Sequence, residues 1–192
     1  IEIALRFSKI SNGAFDITVQ PLWKLYEDFY TNNDNANKVI KDSEIKNALK
    51  KVNYKNISIE NKNIFFKDEN MSITLNGIAQ GYITDKVTEI LANFGISKTL
   101  VNMGEYRALG SKNNGEDWKI GIVNPDQTWS ISKILPIQNM SVATSGGYGH
   151  FFDRNIKAHH IFNPKSGKND NFYKSVTVKA KTATVADGLS TT

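Results

Sequence analysis

The stretch TATVADGLSTT, residues 182–192, reads as a helix in which Asp187 and Thr191 stand four residues apart. One helical turn separates them, so the carboxylate and the hydroxyl face the same way. Two converging hard oxygens, beside a glycine-containing backbone able to lend carbonyls, suit a cation such as Mg²⁺ or Ca²⁺. The same spacing also arises from a solvated Asp and an ordinary Thr, so its meaning depends on the rest of the chain. Just before it, FYKSVTVKA (172–180) reads as a long strand.

Working outward, the order of elements is that of an α+β protein with mixed and antiparallel sheets and a few helices, not of regular βαβ alternation. Strands are expected around KTLVNM, YRALG, WKIGIV, ISKILPI and SVATSG, with shorter ones near HFFD and AHHIF. NGIAQGYITDKVTEILANFG (76–95) is the clearest helix, with Ile83, Val87, Ile90, Leu91 and Phe94 as its apolar stripe and Gly95 as a left-handed cap. Pro21 opens a second helix, PLWKLYEDFY, with Leu22, Leu25, Tyr26 and Phe29 on one face, and TNNDNANK (31–38) ends it as a surface loop. Asp42 and Ser43 are N-cap candidates for EIKNALKKV. NISIE and NIFFK form a hairpin about Asn61 and Lys62, MSITL (71–75) is a third strand, and residues 1–10 fit a helix or a strand.

At 192 residues the chain is the size of one domain, 1–192, with 40% hydrophobic and 22% charged residues. No apolar run approaches the roughly 20 residues needed to cross a bilayer. The net charge of +5 is carried by lysines interleaved with Asn, Asp and Glu, and arginine is confined to Arg6, Arg107 and Arg154. That pattern favours solubility and attraction to small anions over nucleic acid. Without cysteine there is neither a disulfide nor thiolate chemistry. A start at Ile1 is expected of a processed, trimmed or partial chain whose targeting signal or lipid anchor lies outside it.

Four segments resist a purely structural account. SNGAFDITVQPL places Gly13 and Asp16 at a turn, where Asp16 is also a natural cap. ITLNGIAQGY has two glycines at a strand-to-helix junction, and SVATSGGYGHFF has Thr144, Ser145, Gly146 and Gly147 after a strand; both would let amides approach a phosphate. AHHIFNPKSG has His159 and His160 beside a turn built on Asn163, Pro164 and Gly167, and His150 lies close by in sequence. Histidine is the side chain best suited to proton transfer near neutral pH.

Taken in order, SNGAFDITVQPL, LNGIAQGYITDKV, LVNMGEYRALG, WKIGIVNP, SVATSGGY, HHIFNPKSG and SVTVKAKTATVADGLSTT resemble the ApbE family of FAD:protein FMN transferases. The resemblance covers almost the whole chain and implies an ApbE-like, T-fold-like architecture, shortened at both ends relative to the family. It implies that Ala14, Phe15 and Asp16 form the flavin-binding AFD segment and that Ile161 also contacts FAD. His160 matches the histidine of the H-x-x-D-P pattern and is the implied base. Asp187 and Thr191 match the metal pair, with the carbonyl of Gly77 as a third ligand. Thr74 and Gln80 occupy cofactor-binding positions of the family's Asp-x-x-Gly-x-Ala-Lys-Gly junction but depart from its residues. Asn163 replaces an Asp, and Gly104 and Glu105 stand where two glycines are usual.

The implied reaction is Mg²⁺-dependent transfer of the FMN half of FAD to a threonine hydroxyl of an acceptor protein, releasing AMP. His160 would take the hydroxyl proton, and Phe15 or Tyr148 would lie against a flat ring. Strand alternation lets only one of His159 and His160 point into such a site, and the family match selects His160. The acceptor implied is a redox-pump or extracellular electron-transfer subunit, with no nucleic acid partner, and the full-length form would be an exported, membrane-anchored lipoprotein. Hydrolysis of FAD to FMN and AMP, or FAD binding without catalysis, are the alternatives.

Overall fold

A computed structural model describes residues 1–31, 38–155, 158–169 and 172–192. Most of the expected loop TNNDNANK lies outside the described residues. The chain gathers into two compact units, Ile1–Leu75 with Gly147–Phe172, and Asn76–Gly146 with Tyr173–Thr192. As the order of elements predicts, helices are combined with antiparallel sheets. Among the described residues no helix is long and apolar enough to cross a membrane.

In the first unit, residues 1–10 resolve as helix α1, Glu2–Ile10, and two further helices follow, α2 (Gln20–Thr31) and α3 (Asp42–Leu49). Leu22 and Tyr26 of α2 are buried as their spacing predicts, packing with Ile45 and Ala48 of α3 and with Phe162. Helix α3 is capped one residue earlier than expected, the Glu44 carboxylate accepting the Lys41 N–H at 3.2 Å. Strands β1 (Ile57–Glu60) and β2 (Asn63–Phe66) form the expected hairpin. Asn61 and Lys62 have φ of 49° and 65°, the left-handed pair that a two-residue turn needs to match strand twist. MSITL is not a strand: it belongs to no sheet, and its Thr74 N–H donates to the Ile17 carbonyl at 2.8 Å.

In the second unit, helix α4 (Ala79–Asn93) leads to β3 (Thr99–Asn102), β4 (Tyr106–Leu109), β5 (Trp118–Asn124), β6 (Gln127–Ile137) and β7 (Ser141–Gly146). The first unit resumes with β8 (Phe151–Asp153) and β9 (Ala158–His159), and the second closes with β10 (Ser175–Ala180) and helix α5 (Ala183–Thr191). The central sheet has the order β10-β7-β4-β3, every pair antiparallel. One face takes the β5–β6 hairpin, burying Ala108, Val142, Ile120 and Ile137; the other takes α4 and α5.

The apolar stripe expected on α4 is not its buried face. Ile83, Ile90 and Phe94 are exposed, whereas Gly81, Thr84, Asp85 and Thr88 are buried. The reason is the closeness of the two helices. A Cβ on Gly81 would come 2.4 Å from the Ala183 carbonyl oxygen and 2.7 Å from the Asp187 Cβ, so only small or hydrogen-bonded residues fit this seam. Gly95 ends the helix at φ +83° as predicted.

Gly81→Ala forces two backbones apart and is expected to cost about 3 kcal/mol, read as a lower urea midpoint at unchanged slope. Gly95→Ala meets open space and strains only its φ of +83°, so its expected cost is smaller, about 1 kcal/mol.

Candidate active site

In the second unit the C-terminal helix brings Asp187 and Thr191 to the helix-facing side of β7. Asp187 is 4% exposed, and its Oδ2 accepts the Gly81 N–H at 2.8 Å. Strand alternation points Ser145 at the same helix. Its hydroxyl lies 3.0 Å from the Thr191 hydroxyl and 2.8 Å from that of Ser190. Glu105, in the turn joining β3 and β4, is buried within electrostatic reach of this group.

The electrostatics favour a cation. Burial pushes the Asp187 carboxyl up to about 6, against the Gly81 N–H that lowers it. Burial and then the Asp187 charge push Glu105 up to about 8, against a backbone hydrogen bond from Thr144. Two buried carboxyls and neighbouring hydroxyls are a hard oxygen donor set, and a divalent cation would relieve both the burial penalty and the mutual repulsion. Among the described residues no group of three or more His, Cys, Asp or Glu is placed to hold a metal. Hydroxyl, carbonyl and water oxygens would therefore complete the shell, as Mg²⁺ prefers. Gly77 sits half-buried in the turn before α4, and Gln80 is exposed in its first turn with its side chain over Gly104. This places Gly77, Gln80, Asp187 and Thr191 in one unit.

The first unit holds the remaining candidates: Ala14, Phe15, Asp16, Thr74, His160 and Ile161. Strand β9 ends at His159, so strand alternation does not extend to His160; the two rings lie 6.5 Å apart between centroids but have different surroundings. His159 is 5% exposed, its Nδ1 accepting the Ile161 N–H at 3.2 Å and its ring filling the space where a Cβ on Gly147 would stand. His160 is half-buried, with Trp23 and His150 edge-on at 6.2 and 5.9 Å between ring centroids. Its Nδ1 lies 3.0 Å from the His150 carbonyl. A carbonyl can only accept, so Nδ1 carries the proton and Nε2 the lone pair. Burial, opposed by that hydrogen bond, pulls His160 below the ordinary histidine value and keeps it neutral at pH 7.

Asp16 is used structurally on both oxygens. Oδ1 accepts from the N–H and hydroxyl of Thr18 at 2.8 and 2.6 Å, and Oδ2 from the Tyr54 N–H at 2.9 Å. Phe15 is 5% exposed with its ring tilted against Phe7 at 6.0 Å, while Tyr148 is half-buried. Ala14 and Thr74 are half-buried. Asn163 makes the turn with its own side chain, its Oδ1 accepting the Lys165 N–H at 2.9 Å.

Sequence reading missed Asn169, whose Nδ2 donates to the His159 and Ile161 carbonyls, both at 2.7 Å, while its Oδ1 accepts the His159 N–H at 3.1 Å. An Asn after a Gly-Lys turn has no periodic signature. Trp23, stacked on His150 at 5.5 Å and 14°, was also missed, because its partner is far away in sequence.

The raised carboxyls predict a pH dependence whose sign follows from linkage. Each binds its proton more tightly folded than unfolded, so its contribution is lost as pH rises toward the folded value. His160 acts oppositely, but only below the ordinary histidine range near 6.5. In EDTA, stability should therefore fall from about pH 6.5 to 8, where Glu105 keeps its proton in the folded chain but not in the unfolded one, and Glu105→Gln should flatten the fall in a series of thermal melts.

Comparison with known proteins identifies the family of the chain. A family model described as the ApbE family matches residues 1–192. An FAD:protein FMN transferase of Vibrio cholerae is 30% identical over 195 residues, covering 100% of this chain and 58% of that protein. One from Klebsiella pneumoniae is 30% identical over 183 residues, covering 93% and 55%. Among solved structures, the ApbE protein of Thermotoga maritima has a TM-score of 0.87 at 34% identity, covering 99% of this chain and 62% of that one. The flavin transferase ApbE of Vibrio cholerae has a TM-score of 0.81 at 29% identity, covering 99% and 61%. The chain thus spans a little over half the length of the curated relatives it matches, and it belongs to the ApbE family.

Proposed function

We propose that this chain carries the chemistry of a flavin transferase: Mg²⁺-dependent transfer of FMN from FAD to a threonine hydroxyl of an acceptor protein, releasing AMP. The observation that carries this reading is the buried Asp187 with Thr191 one turn on, an all-oxygen group with a raised carboxyl, in a member of a family whose relatives are named FAD:protein FMN transferase.

Asp187 and Thr191, with the Gly77 carbonyl, would hold Mg²⁺, which when bound neutralises pyrophosphate oxygens and charge on the departing phosphate. The backbone on either side of Ala14, Phe15 and Asp16 would bind the flavin half, with Thr74, Gln80 and Ile161 completing the contacts. His160 supplies the base: its free Nε2 accepts the threonine proton as the hydroxyl oxygen attacks the phosphorus of the FMN half. The P–O bond to the AMP half breaks, and AMP leaves with the bridging oxygen. A neutral imidazole is required for this step, and burial maintains it. A redox-pump or extracellular electron-transfer acceptor, and an exported, lipid-anchored full-length form, belong to the same reading.

Incubation with FAD, Mg²⁺ and an acceptor domain should give covalent flavin fluorescence on a denaturing gel, and AMP in equal amount. AMP with free FMN, whether or not acceptor is present, would mark a hydrolase; bound FAD without AMP would mark a binding domain. Asp187→Ala should abolish the metal-dependent product, and Thr191→Val should weaken it less. His160→Ala should lower transfer about 10²-fold while FAD affinity in EDTA stays unchanged.

A further inference from the structure

The carboxylate of Asp85, on α4, is 5% exposed and takes no part in the reaction above. Four donors converge on it. Oδ1 accepts the Ala183 N–H at 2.8 Å and Arg107 Nη1 at 2.6 Å; Oδ2 accepts the Thr184 N–H at 2.8 Å and the Thr184 hydroxyl. An ionised carboxylate has about four acceptor positions, so Asp85 is fully engaged.

Ala183 and Thr184 are the first two residues of α5, whose leading N–H groups have no partner within their own helix. The local cap, Thr182, reaches only the Val185 N–H, at 3.3 Å. Asp85 supplies the rest from a different helix, and its negative charge sits where the α5 dipole is positive. Arg107 lies on β4 with its side chain on the helix-facing side of the sheet, and its ion pair with Asp85 ties the carboxylate to that strand.

One turn before Asp85, the Gly81 N–H donates to Asp187; one turn after Ala183 comes Asp187 itself. Helix α4 therefore grips α5 at two levels a turn apart. Helix α5 also packs on β7 and β10, and Ser145 meets its Ser190 and Thr191 hydroxyls, so the two α4 contacts add to the sheet's hold a restraint on its rotation and rise at the end that precedes Asp187.

We propose that Asp85, anchored by Arg107, is the positioning residue that sets the rotation and rise of α5 and so the affinity of the Asp187–Thr191 pair for a divalent cation. This rests on the reading of Asp187 and Thr191 as cation ligands, and the test separates the two. Mn²⁺ is titrated into the wild-type chain and into Asp187→Ala, Asp85→Asn and Thr184→Val, with free Mn²⁺ read by electron paramagnetic resonance well below each melting temperature. Far-UV circular dichroism reports the folded fraction.

Wild type should bind and Asp187→Ala should not. Asp85→Asn, which presents an amide where an acceptor oxygen is needed, should bind about tenfold more weakly per folded molecule, the usual size of an effect transmitted through a ligand's supports. Thr184→Val removes one of the four bonds and should fall between, which keeps the proposal testable if Asp85→Asn does not fold. Wild-type affinity in Asp85→Asn or Thr184→Val, at any melting temperature, overturns the positioning role and leaves the ligand reading intact. Equal binding by wild type and Asp187→Ala overturns the ligand reading, and the proposal with it.

Discussion

The second unit is organised around the closeness of α4 to α5. A glycine at 81 lets the two backbones come within reach, and the Asp85 carboxylate closes the contact by taking the leading amides of α5. Proximity and polarity are coupled here. An apolar seam would hold the helices farther apart, and the amides would then be buried without partners, each at a penalty of about 1–3 kcal/mol. The ion pair to Arg107 extends the same constraint to the sheet, with side chains 7% and 19% exposed. Removing one member of a buried pair leaves the other uncompensated, an effect of about 3–5 kcal/mol, so the three elements hold or fail together.

That arrangement gives the candidate cation group its character. Asp187 is confined by its helix and by the Gly81 amide, away from bulk water, and Glu105 approaches from the β3–β4 turn. Burial makes both carboxyls reluctant to ionise, and the Asp187 charge raises the difficulty further for Glu105. A proton relieves this penalty, and a divalent cation bound there would do the same and would compete with the proton.

The first unit solves a different problem, keeping an imidazole neutral and oriented. Trp23 and His150 lie edge-on to the His160 ring, and the His150 carbonyl holds its Nδ1 proton. Asn169 stitches the segment that carries it by three bonds to His159 and Ile161, while the His159 ring packs over Gly147 as a structural filler. Two adjacent histidines thus meet different surroundings, His159 buried over Gly147 and His160 half-buried beside Trp23 and His150.

Local features were legible in the sequence because their causes are local. The i, i+4 spacing of Asp187 and Thr191, the Leu22 and Tyr26 face of α2, the left-handed turn at Asn61 and Lys62 and the Gly95 cap all follow from backbone geometry over a few residues. Position-by-position resemblance added the family and the candidate roles. Other features depend on partners far along the chain. The polar seam of α4 overrode its apolar stripe, since hydrophobic periodicity identifies a face but not what packs against it. MSITL had strand composition but found no neighbouring strand, Phe15 was drawn into the core by Phe7, and Asp85 met amides 98 and 99 residues away. Sequence alone determined which side chains could do chemistry; tertiary structure decided their burial, protonation and direction, because those properties belong to contacts between segments rather than to any one segment.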